Sequence, residues 1–292
     1  MVKEIFLIGS SGAIGSHIKT FLHQDFKIVE FRFHNWLDLQ LFQEEIKKYI
    51  KNLFGKSLVI IWTAGSVHPR STFGELIENS KVFESFLDII NNFKLNFIDL
   101  KIIYLSSTGS IYPYHILRVN YEDSPTEPTS AYGVMKLQHE KLIHELSDYK
   151  TFKSIVLRSP SVFGSVKFKN TGIINQILYN EDFELKANLE TVRQYLHIQD
   201  LCSLIKKTIN FDEFESCLVK NIAPSQSHSL RELILKYGSE NLIAKIQSNT
   251  RLNSELDNQT ILVGSKSTKE LDLSDYLMPD NLNINDRHKD LL

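Results

Sequence analysis

The chain has 292 residues, of which 42% are hydrophobic and 23% charged, and its formal net charge is −2. This composition is typical of a globular protein with one large domain or two coupled ones, and the lack of a basic surplus argues against a nucleic-acid or membrane-surface partner. No stretch approaches the roughly 20 apolar residues of a membrane span, and the N-terminus lacks the pattern of a signal peptide. Cys202 and Cys217 have no metal-ligand spacing, so we expect a cytoplasmic protein without a metal site.

Strand and helix patterns alternate through the first two thirds of the chain. Short runs rich in Ile and Val predict strands, and the amphipathic stretches between them predict helices. The predicted strands are EIFLIG, FKIVEF, SLVIIWTAG, KIIYLSS and KSIVLRSPSVFG, and the predicted helices are AIGSHIKTFLHQ, LQLFQEEIKKYIKN, GELIENSKVFESFLDIINNF and SAYGVMKLQHEKLIHELS. This alternation predicts an α/β fold of the Rossmann type, a doubly wound parallel sheet with helices on both faces.

The alternation weakens after residue 164. A short helix is predicted from Gly172 to Tyr179, then a strand and a helix in RQYLHIQDLCSLIKKTIN, a last strand in CLVKNIA and one helix in LRELILKYG. We expect residues 1–164 and 193–222 to form the Rossmann domain. Residues 165–192 and 223–292 are expected to form a smaller, C-terminal lobe that is discontinuous in sequence.

The first motif is a glycine-rich loop between the first strand and the first helix. Gly9, Gly12 and Gly15 would allow a tight turn and the close approach of a pyrophosphate, and the helix that follows would offer free N–H groups. The alternative is a turn that merely needs glycine, which we consider weaker because the loop lies at the first strand-to-helix junction. The predicted phosphate-binding residues are Gly9, Ser11, Gly12, Ala13, Ile14 and Gly15.

The end of the second strand bears on the choice of dinucleotide. An acidic residue usually binds the 2′-hydroxyl of NAD at this place, whereas an arginine accommodates the 2′-phosphate of NADP. Arg32 therefore favours NADP(H) over NAD(H) as the cofactor. In the alternative, Glu30 takes the acidic role and Arg32 is a surface residue, and because both share one face of an ideal strand, alternation does not separate them. Asp38 and Leu39 lie on a segment that could reach the adenine.

Two further strands end in small or hydroxylated residues. SLVIIWTAG closes with Ala64 and Gly65, and KIIYLSS brings Ser106 and then Thr108 to its end. The carboxyl ends of parallel strands line the crevice in which cofactors bind, so we expect Ala64, Gly65 and Ser106 beside the cofactor. Hydroxyl groups also gather where a strand simply turns.

Tyr132 and Lys136 lie one turn apart on one face of a predicted helix. The spacing alone is weak, since a chain of this composition should contain about one such pair by chance, and Tyr149 and Lys153 repeat it. Only Tyr132 follows a strand-end hydroxyl cluster, so we interpret the second pair as surface residues. A lysine ammonium would lower the pKa of Tyr132, which could then transfer a proton at a carbon–oxygen bond as a nicotinamide exchanges hydride.

From residue 3 to about 225 the chain resembles the extended short-chain dehydrogenases/reductases, in their NAD-dependent epimerase/dehydratase branch. The resemblance rests on the segments GSSGAIG, SSTGSIY, EPTSAYGVMK, LRSPSVFG and RQYLHIQD, which follow one another in the family's order. Members typically act on sugars attached to a nucleoside diphosphate and hold the nucleotide in the C-terminal lobe. The resemblance therefore implies a nucleotide-sugar substrate, and a homodimer formed through the long helices beside the sheet.

The resemblance also implies roles for single residues. Tyr132 is similar to the catalytic acid/base, Lys136 to its partner and ligand of the nicotinamide ribose, and Thr108 to the hydroxyl that assists at the substrate oxygen. Pro160 and Val162 resemble the segment beside the nicotinamide amide.

Two substrate-binding positions are implied in the same way. Arg193 resembles an arginine that clamps the substrate diphosphate, a task suited to a bidentate cation, and the alternative is a surface arginine. Ser161 stands where many members use asparagine to hold the substrate, which leaves the sugar open.

One departure narrows the function. Members that act as sugar 4,6-dehydratases carry an Asp-Glu pair where this chain has Gly109 and Ser110, so that activity is not expected. Two activities remain: a 4-ketoreductase that consumes NADPH, which Arg32 favours, and an epimerase that retains its cofactor. A non-catalytic Rossmann protein that senses NADP(H) is a third reading, disfavoured because Tyr132 and Lys136 are both present.

Overall fold

The computed structural model describes residues 3–36, 38–114, 119–148, 152–165, 172–179, 188–224, 226–248 and 262–263. The strands are β1 (Lys3–Ile8), β2 (Lys27–Phe31), β3 (Ser57–Trp62), β4 (Asp99–Ser107), β5 (Val119–Asn120), β6 (Lys153–Ser159), β7 (Ser161–Phe163), β8 (Val192–His197), β9 (Cys217–Asn221), β10 (Ser227–Ser229) and β11 (Leu262–Val263). The α-helices are α1 (Ala13–Leu22), α2 (Leu39–Lys51), α3 (Phe73–Phe93), α4 (Thr108–Ile111), α5 (Ala131–Asp148), α6 (Ile173–Tyr179), α7 (Ile198–Asn210), α8 (Leu230–Tyr237) and α9 (Glu240–Ser248).

The main sheet has six parallel strands in the order β2-β1-β3-β4-β6-β9. The chain moves outward from β1 to β2, returns to β3 on the other side of β1, and then moves outward in the opposite direction. The connections after β1 and β3 therefore leave in opposite directions, and a crevice opens between them, as in other doubly wound sheets. The predicted fold class is confirmed.

Helices cover both faces of this sheet, because the strand side chains alternate between two hydrophobic clusters. The cluster around Phe31, Trp62 and Tyr104 lies under α2, α3 and α5. The cluster around Ile61 and Leu105 lies under α1 and α7. A strand that is buried on both faces has a nearly continuous apolar sequence, which explains why the strands could be recognised.

A third hydrophobic cluster lies beyond the main sheet. It joins α6, α8 and α9 to the small sheet β10-β8-β7, and it includes Phe163, Ile174, Tyr195 and Leu233. Phe163 and Tyr195 lie on segments that the sequence assigned to the Rossmann domain, so the two parts share core residues at β7 and β8. The division into a cofactor domain and a substrate lobe stays a prediction.

Lys101, near the start of β4, is 1% exposed. Its ammonium donates to the carbonyl oxygens of Ile209 (3.0 Å) and Phe211 (2.6 Å) and lies 2.6 Å from Oδ1 of Asp212. Lys3, at the start of β1, also binds the Ile209 carbonyl and Asp212. Cations at a helix C-terminus satisfy its last carbonyl groups, so these lysines fix the strands to the end of α7.

A buried ion pair joins α5 to β6. The guanidinium of Arg158 donates to both carboxylate oxygens of Glu140, from Nη2 to Oε2 at 2.7 Å and from Nε to Oε1 at 3.2 Å, and both side chains are less than 10% exposed. Ser106 donates to the same carboxylate, and Arg158 also donates to the hydroxyl of Tyr112. Every strong donor and acceptor in this network is therefore partnered, which burial of a charge requires.

A variant that lacks only the Arg158 cation should be less stable, because the carboxylate of Glu140 is then buried without its counter-ion. We expect Arg158→Met to lower the free energy of unfolding by about 3–5 kcal/mol, because an unpaired carboxylate is left in the core. Urea denaturation followed by circular dichroism measures this. The double variant Arg158→Met/Glu140→Met should recover most of the loss, and a single variant as stable as the double one would contradict the interpretation.

Candidate active site

A cavity of about 330 Å³ opens at the carboxyl ends of β3, β4 and β6. Both sides of the crevice contribute to its wall, together with α1, α5 and the segment around β7. Nine of the residues predicted to bind cofactor line it: Ala13, Ile14, Ala64, Gly65, Ser106, Tyr132, Lys136, Pro160 and Val162. The sheet topology thus brings residues that are far apart in sequence to one cavity.

The glycine loop is shaped by close backbone contacts. Gly9 has a φ of +91°, which L side chains rarely adopt, and a Cβ there would lie 2.5 Å from the Ala64 backbone nitrogen. At Gly15 a Cβ would collide with the Gly9 carbonyl oxygen. A Cβ at Gly12, by contrast, would make only an ordinary contact. Gly9 and Gly15 are therefore needed by the packing of the loop against β3, which holds it at the cavity.

The N-terminus of α1 is suited to an anion. Its N-cap is Gly12, which has no side chain to accept from the first-turn N–H groups, and no acidic residue lies in that turn. Ala13 and Ile14, the first helical residues, line the cavity. Free N–H groups and the helix dipole favour a phosphate at such a place, so the loop fits the pyrophosphate of a dinucleotide.

Glu30 and Arg32 form an ion pair at the end of β2. Arg32 donates to Oε2 of Glu30 through Nη2 (2.9 Å) and Nε (3.1 Å), and Lys19 of α1 binds Oε1 at 2.9 Å. Burial opposes ionisation of Glu30, but the hydrogen bonds from Lys19 and Arg32, together with the charge of Lys19, outweigh it and lower the pKa of the carboxyl to about 2. One ionised carboxylate is therefore held between two cations beside α1.

Asp38 and Leu39 have local structural roles. Oδ1 of Asp38 accepts a hydrogen bond from the Leu41 N–H at 2.9 Å and caps α2, and Leu39 packs against the core on that face. Neither residue lines the cavity. A contact of either residue with an adenine stays a prediction.

Tyr132 and Lys136 lie side by side on α5 and both line the cavity. The Lys136 ammonium donates to the Leu105 carbonyl oxygen at 2.9 Å. It lies 5.5 Å from the ring centroid of Tyr132 and 4.7 Å from that of Tyr104. The pair is therefore held against the end of β4, facing the crevice.

The protonation states of this pair differ from the sequence-based expectation. Burial raises the pKa of Tyr132 to about 12. Burial also lowers the pKa of Lys136 to about 8, although the carboxylate of Glu140 opposes that shift. The prediction that Lys136 lowers the pKa of Tyr132 is wrong for this structure, because desolvation of the phenol outweighs the attraction of an ammonium that is turned toward Leu105 and Tyr104.

Gly133 allows α5 to approach the end of β4. A Cβ on Gly133 would collide with the carbonyl oxygen of Ser110 in α4, the short helix that begins at Thr108. Thr108 itself is 3% exposed, and its hydroxyl donates to the Ser159 carbonyl oxygen at 3.3 Å. It does not line the cavity, whereas Ser107 does. The hydroxyl role of Thr108 stays a prediction.

The cavity is also lined by residues that the sequence did not predict, and three of them are the polar residues Asn79, Ser165 and Asn175. Asn79 on α3 lies against Gly65, where a Cβ would be 3.1 Å from the side-chain amide nitrogen. Ser165 is 5% exposed, and its hydroxyl makes no hydrogen bond to a described residue. Oδ1 of Asn175 accepts from the Gly164 N–H at 3.0 Å. A buried polar group without a partner is costly, so Ser165 marks a place for a ligand's hydrogen bond.

Ser161 and Arg193, the predicted substrate-binding residues, lie on the small sheet. Ser161 is exposed and opposes Tyr195, and Arg193 is half-buried and opposes His228. Neither lines the cavity. The second Tyr–Lys pair is not comparable, since Lys153 begins β6 and donates to the Asp212 carbonyl oxygen, and Tyr149 lies outside the described residues.

The described residues hold no cluster of three or more His, Cys, Asp or Glu side chains that could bind a metal ion. Among the helices described, none combines the length and the apolar character that crossing a membrane requires.

Parallel strands in this order bring a glycine loop and a Tyr-x-x-x-Lys helix to a single crevice in the short-chain dehydrogenases/reductases, and this fold and site correspond to that class. Within the class, the chain belongs to the NAD dependent epimerase/dehydratase family, whose model matches residues 5–222. The predicted family is confirmed.

The chain is similar to a curated dTDP-D-glucose 4,6-dehydratase of Dictyostelium discoideum, with 26% identity over 250 residues. The match covers 69% of this chain but 54% of the relative, so the chain spans about half the relative's length.

Two solved structures share the fold at low identity. A UDP-N-acetylglucosamine 4-epimerase from Methanobrevibacter ruminantium has a TM-score of 0.71 at 16% identity, covering 92% of this chain and 91% of that one. RMD from Pseudomonas aeruginosa, solved with NADPH, has a TM-score of 0.65 at 19% identity, covering 91% and 87%.

Proposed function

We propose that this protein is an NAD(P)-dependent oxidoreductase of nucleotide-linked sugars, and that it acts as a 4-ketoreductase with NADPH. The observation that carries the proposal is the shared cavity. Tyr132 and Lys136 line one part of it, and the start of α1, with Ala13 and Ile14, lines another. A dinucleotide whose pyrophosphate is bound by the glycine loop would extend toward this pair, as the family's known cofactor does.

In the proposed reaction the substrate carbonyl carbon receives hydride, which the nicotinamide supplies when bound. The hydroxyl of Tyr132 gives its proton to the carbonyl oxygen, so that an alcohol forms and a phenolate remains. Lys136, charged at neutral pH, stabilises this phenolate, and solvent returns the proton. Wall residues such as Leu105 and Ile198 are apolar and limit the access of water to the hydride.

The protonation state of Tyr132 is compatible with reduction, in which the phenol is the proton donor. With its pKa raised to about 12 by burial, the phenol keeps its proton at neutral pH and is ready to act as an acid. An oxidation that starts from the alcohol needs the phenolate instead. The charge of an oxidised nicotinamide would favour that form.

The polar wall formed by Ser165 and Asn175 supports a sugar substrate. Their side chains lie in the same cavity as Tyr132, and the Ser165 hydroxyl makes no hydrogen bond to a described residue. A ring hydroxyl of a sugar could satisfy it. The Dictyostelium discoideum dehydratase and the Methanobrevibacter ruminantium epimerase are named for nucleotide sugars, and we propose that Arg193 contacts the diphosphate.

Arg32 supports NADP(H) as the cofactor. Its guanidinium is more than half exposed, and together with Lys19 it surrounds the single carboxylate of Glu30, which leaves a net positive charge for a 2′-phosphate. The second candidate function, an epimerase with retained NAD, is favoured by Glu30, since its ionised carboxylate is an acceptor for a 2′-hydroxyl.

Similarity to a 4,6-dehydratase does not carry that activity over. The family resemblance implies that a dehydratase carries an Asp-Glu pair after the threonine, and the segment after Thr108 holds Gly109 and Ser110, neither of which has a carboxylate. Ser110 is buried, and its carbonyl oxygen accepts from Thr129. We therefore exclude the dehydratase from the proposal.

The reductase and the epimerase can be separated with purified protein. A 4-ketoreductase should oxidise added NADPH in the presence of dTDP- or UDP-linked 4-keto-6-deoxysugars, one equivalent per alcohol formed. An epimerase should instead interconvert UDP-glucose and UDP-galactose, or their N-acetylamino forms, without added cofactor. Binding of NADPH without turnover of any nucleotide sugar would refute both and support a sensor.

Removing the proton donor should stop turnover. We expect Tyr132→Phe to reduce kcat between about 100-fold and 10,000-fold, because general-acid catalysis by the phenol is lost, while the Kd for NADPH changes little. Initial-rate assays and fluorescence titration measure these quantities. Tyr149→Phe is the matched control and should keep full activity, and a Tyr132→Phe enzyme of normal rate would sink the assignment.

The cofactor preference should depend on Arg32. We expect Arg32→Ser to raise the Kd for NADPH about tenfold, because a charged contact to the 2′-phosphate is lost, and to leave the Kd for NADH nearly unchanged. Arg231→Ser, which removes a comparable exposed ion pair with Glu190, should alter neither. Equal effects of Arg32→Ser on both dinucleotides would argue against a 2′-phosphate contact.

A further inference from the structure

Tyr104 forms a surface on which Lys136 rests. The Lys136 ammonium lies 4.7 Å from the centroid of the Tyr104 ring, within the range of a cation–π interaction. Tyr104 is 1% exposed and belongs to β4, so its ring is fixed to the sheet rather than to the helix that carries Lys136. The Leu105 carbonyl oxygen, from the next residue of the same strand, holds the ammonium at 2.9 Å.

The hydroxyl of Tyr104 begins a chain of hydrogen bonds that leads away from the cavity. It lies 2.8 Å from Nδ1 of His139, and Nε2 of His139 lies 2.9 Å from Oγ of Ser80. Ser80 in turn donates to Oε1 of Glu84 at 2.8 Å. None of these four residues takes part in the proposed reaction.

The donors and acceptors in this series of hydrogen bonds can be assigned in only one consistent order, from Tyr104 to Glu84. The Ser80 hydroxyl donates its proton to the carboxylate of Glu84, so its oxygen must accept a hydrogen bond from Nε2–H of His139. Burial lowers the pKa of His139 to about 3, with the charge of Lys136 adding to the effect, so the imidazole is neutral and carries a single N–H. Its Nδ1 is therefore an acceptor, and Tyr104 donates to it.

Packing fixes the same two rings. The ring of Phe83 lies 5.0 Å from that of Tyr104 and 4.4 Å from that of His139, measured between centroids. Phe83 belongs to α3, so residues of β4, α3 and α5 meet here. The Tyr104 ring can neither turn nor withdraw without breaking a hydrogen bond or a ring contact.

We propose that Tyr104 is a positioning residue for Lys136: its ring face, held in place by packing against Phe83 and His139, stabilises the ammonium at the cavity and keeps it charged. The proposal rests on the role of Lys136 in the proposed function, but it concerns the lysine's own titration. It predicts that the ring, rather than the hydroxyl, carries the effect, because the quadrupole of the ring face attracts the cation.

Other charged or titratable groups also face Lys136 and could shift its pKa, so the test variants must leave them unchanged. On α5 these are Tyr132, His139 and Glu140, of which only the carboxylate of Glu140 raises the lysine's pKa. Arg158 of β6 neutralises that carboxylate. On α3, Glu84 is exposed and is separated from the ammonium by Ser80 and His139. A substitution at Tyr104 leaves all of these groups in the chain.

Competitive labelling with trace acetic anhydride between pH 6 and 10, read by peptide mass spectrometry, gives the pKa of the Lys136 amine without substrate or cofactor. The wild type should titrate near pH 8. We expect Tyr104→Leu to lower this pKa by about one unit, since a desolvated cation loses its partner, and Tyr104→Phe to restore the wild-type value. Phe86→Leu, which removes a ring from the same core away from Lys136, is the matched control.

Two results would overturn the proposal: an unchanged titration of Lys136 in folded Tyr104→Leu, or an equal shift in Phe86→Leu. If Tyr104→Leu does not fold, trifluorophenylalanine at position 104 keeps the ring shape and weakens its quadrupole, and it should lower the pKa relative to Tyr104→Phe. No shift there would refute the proposal as well. If no nucleotide sugar is turned over but the shift occurs, the proposed function fails and the inference stands.

Discussion

The buried ion pair between Glu140 and Arg158 holds the Tyr132 helix against the sheet. It joins α5 to β6, and the hydroxyl of Ser106 joins β4 to the same carboxylate. Glu140 is one helical turn beyond Lys136, so the pair that fixes the helix also fixes the direction of the lysine. A charge buried in this way brings little net stability but strongly penalises any arrangement that separates it from its partner. The geometry of the cavity depends on that penalty.

The two ends of the proposed cofactor site are governed by different electrostatics. At β2 the charges lie close to water, and Glu30 stays ionised because cations surround it. At α5 burial dominates, so Tyr132 keeps its proton and Lys136 gives up its own more readily. Screening by salt is therefore expected to affect recognition at the adenosine end more than proton transfer at the nicotinamide end. Within one site, the affinity for the adenosine end can therefore vary with salt while the proposed proton transfer is little affected.

Features that depend on hydrophobic periodicity or on a special backbone conformation could be predicted from the sequence. Strands buried on both faces are recognisable as apolar runs, and the glycine loop was recognisable because Gly9 needs a positive φ. It could not predict that Thr108 turns into a short helix and binds a carbonyl, since one turn of helix has no periodic pattern. It missed His139, whose role depends on partners from two other elements, and it misjudged the pKa of Tyr132, because desolvation depends on the whole fold.

The contacts of Lys101 near the start of β4 also affect the position of Tyr104 further along the same strand. Its ammonium is bound to the last carbonyl groups of α7, and the Tyr104 ring is three residues further along β4, at a distance of about 10 Å. Side chains change faces with each step of a strand, so a slip of one residue would turn Tyr104 toward α1 and α7 and leave the ammonium of Lys136 without its ring. Lys101 therefore helps to set the position of β4 along its axis, and with it the position of the Tyr104 ring beside Lys136.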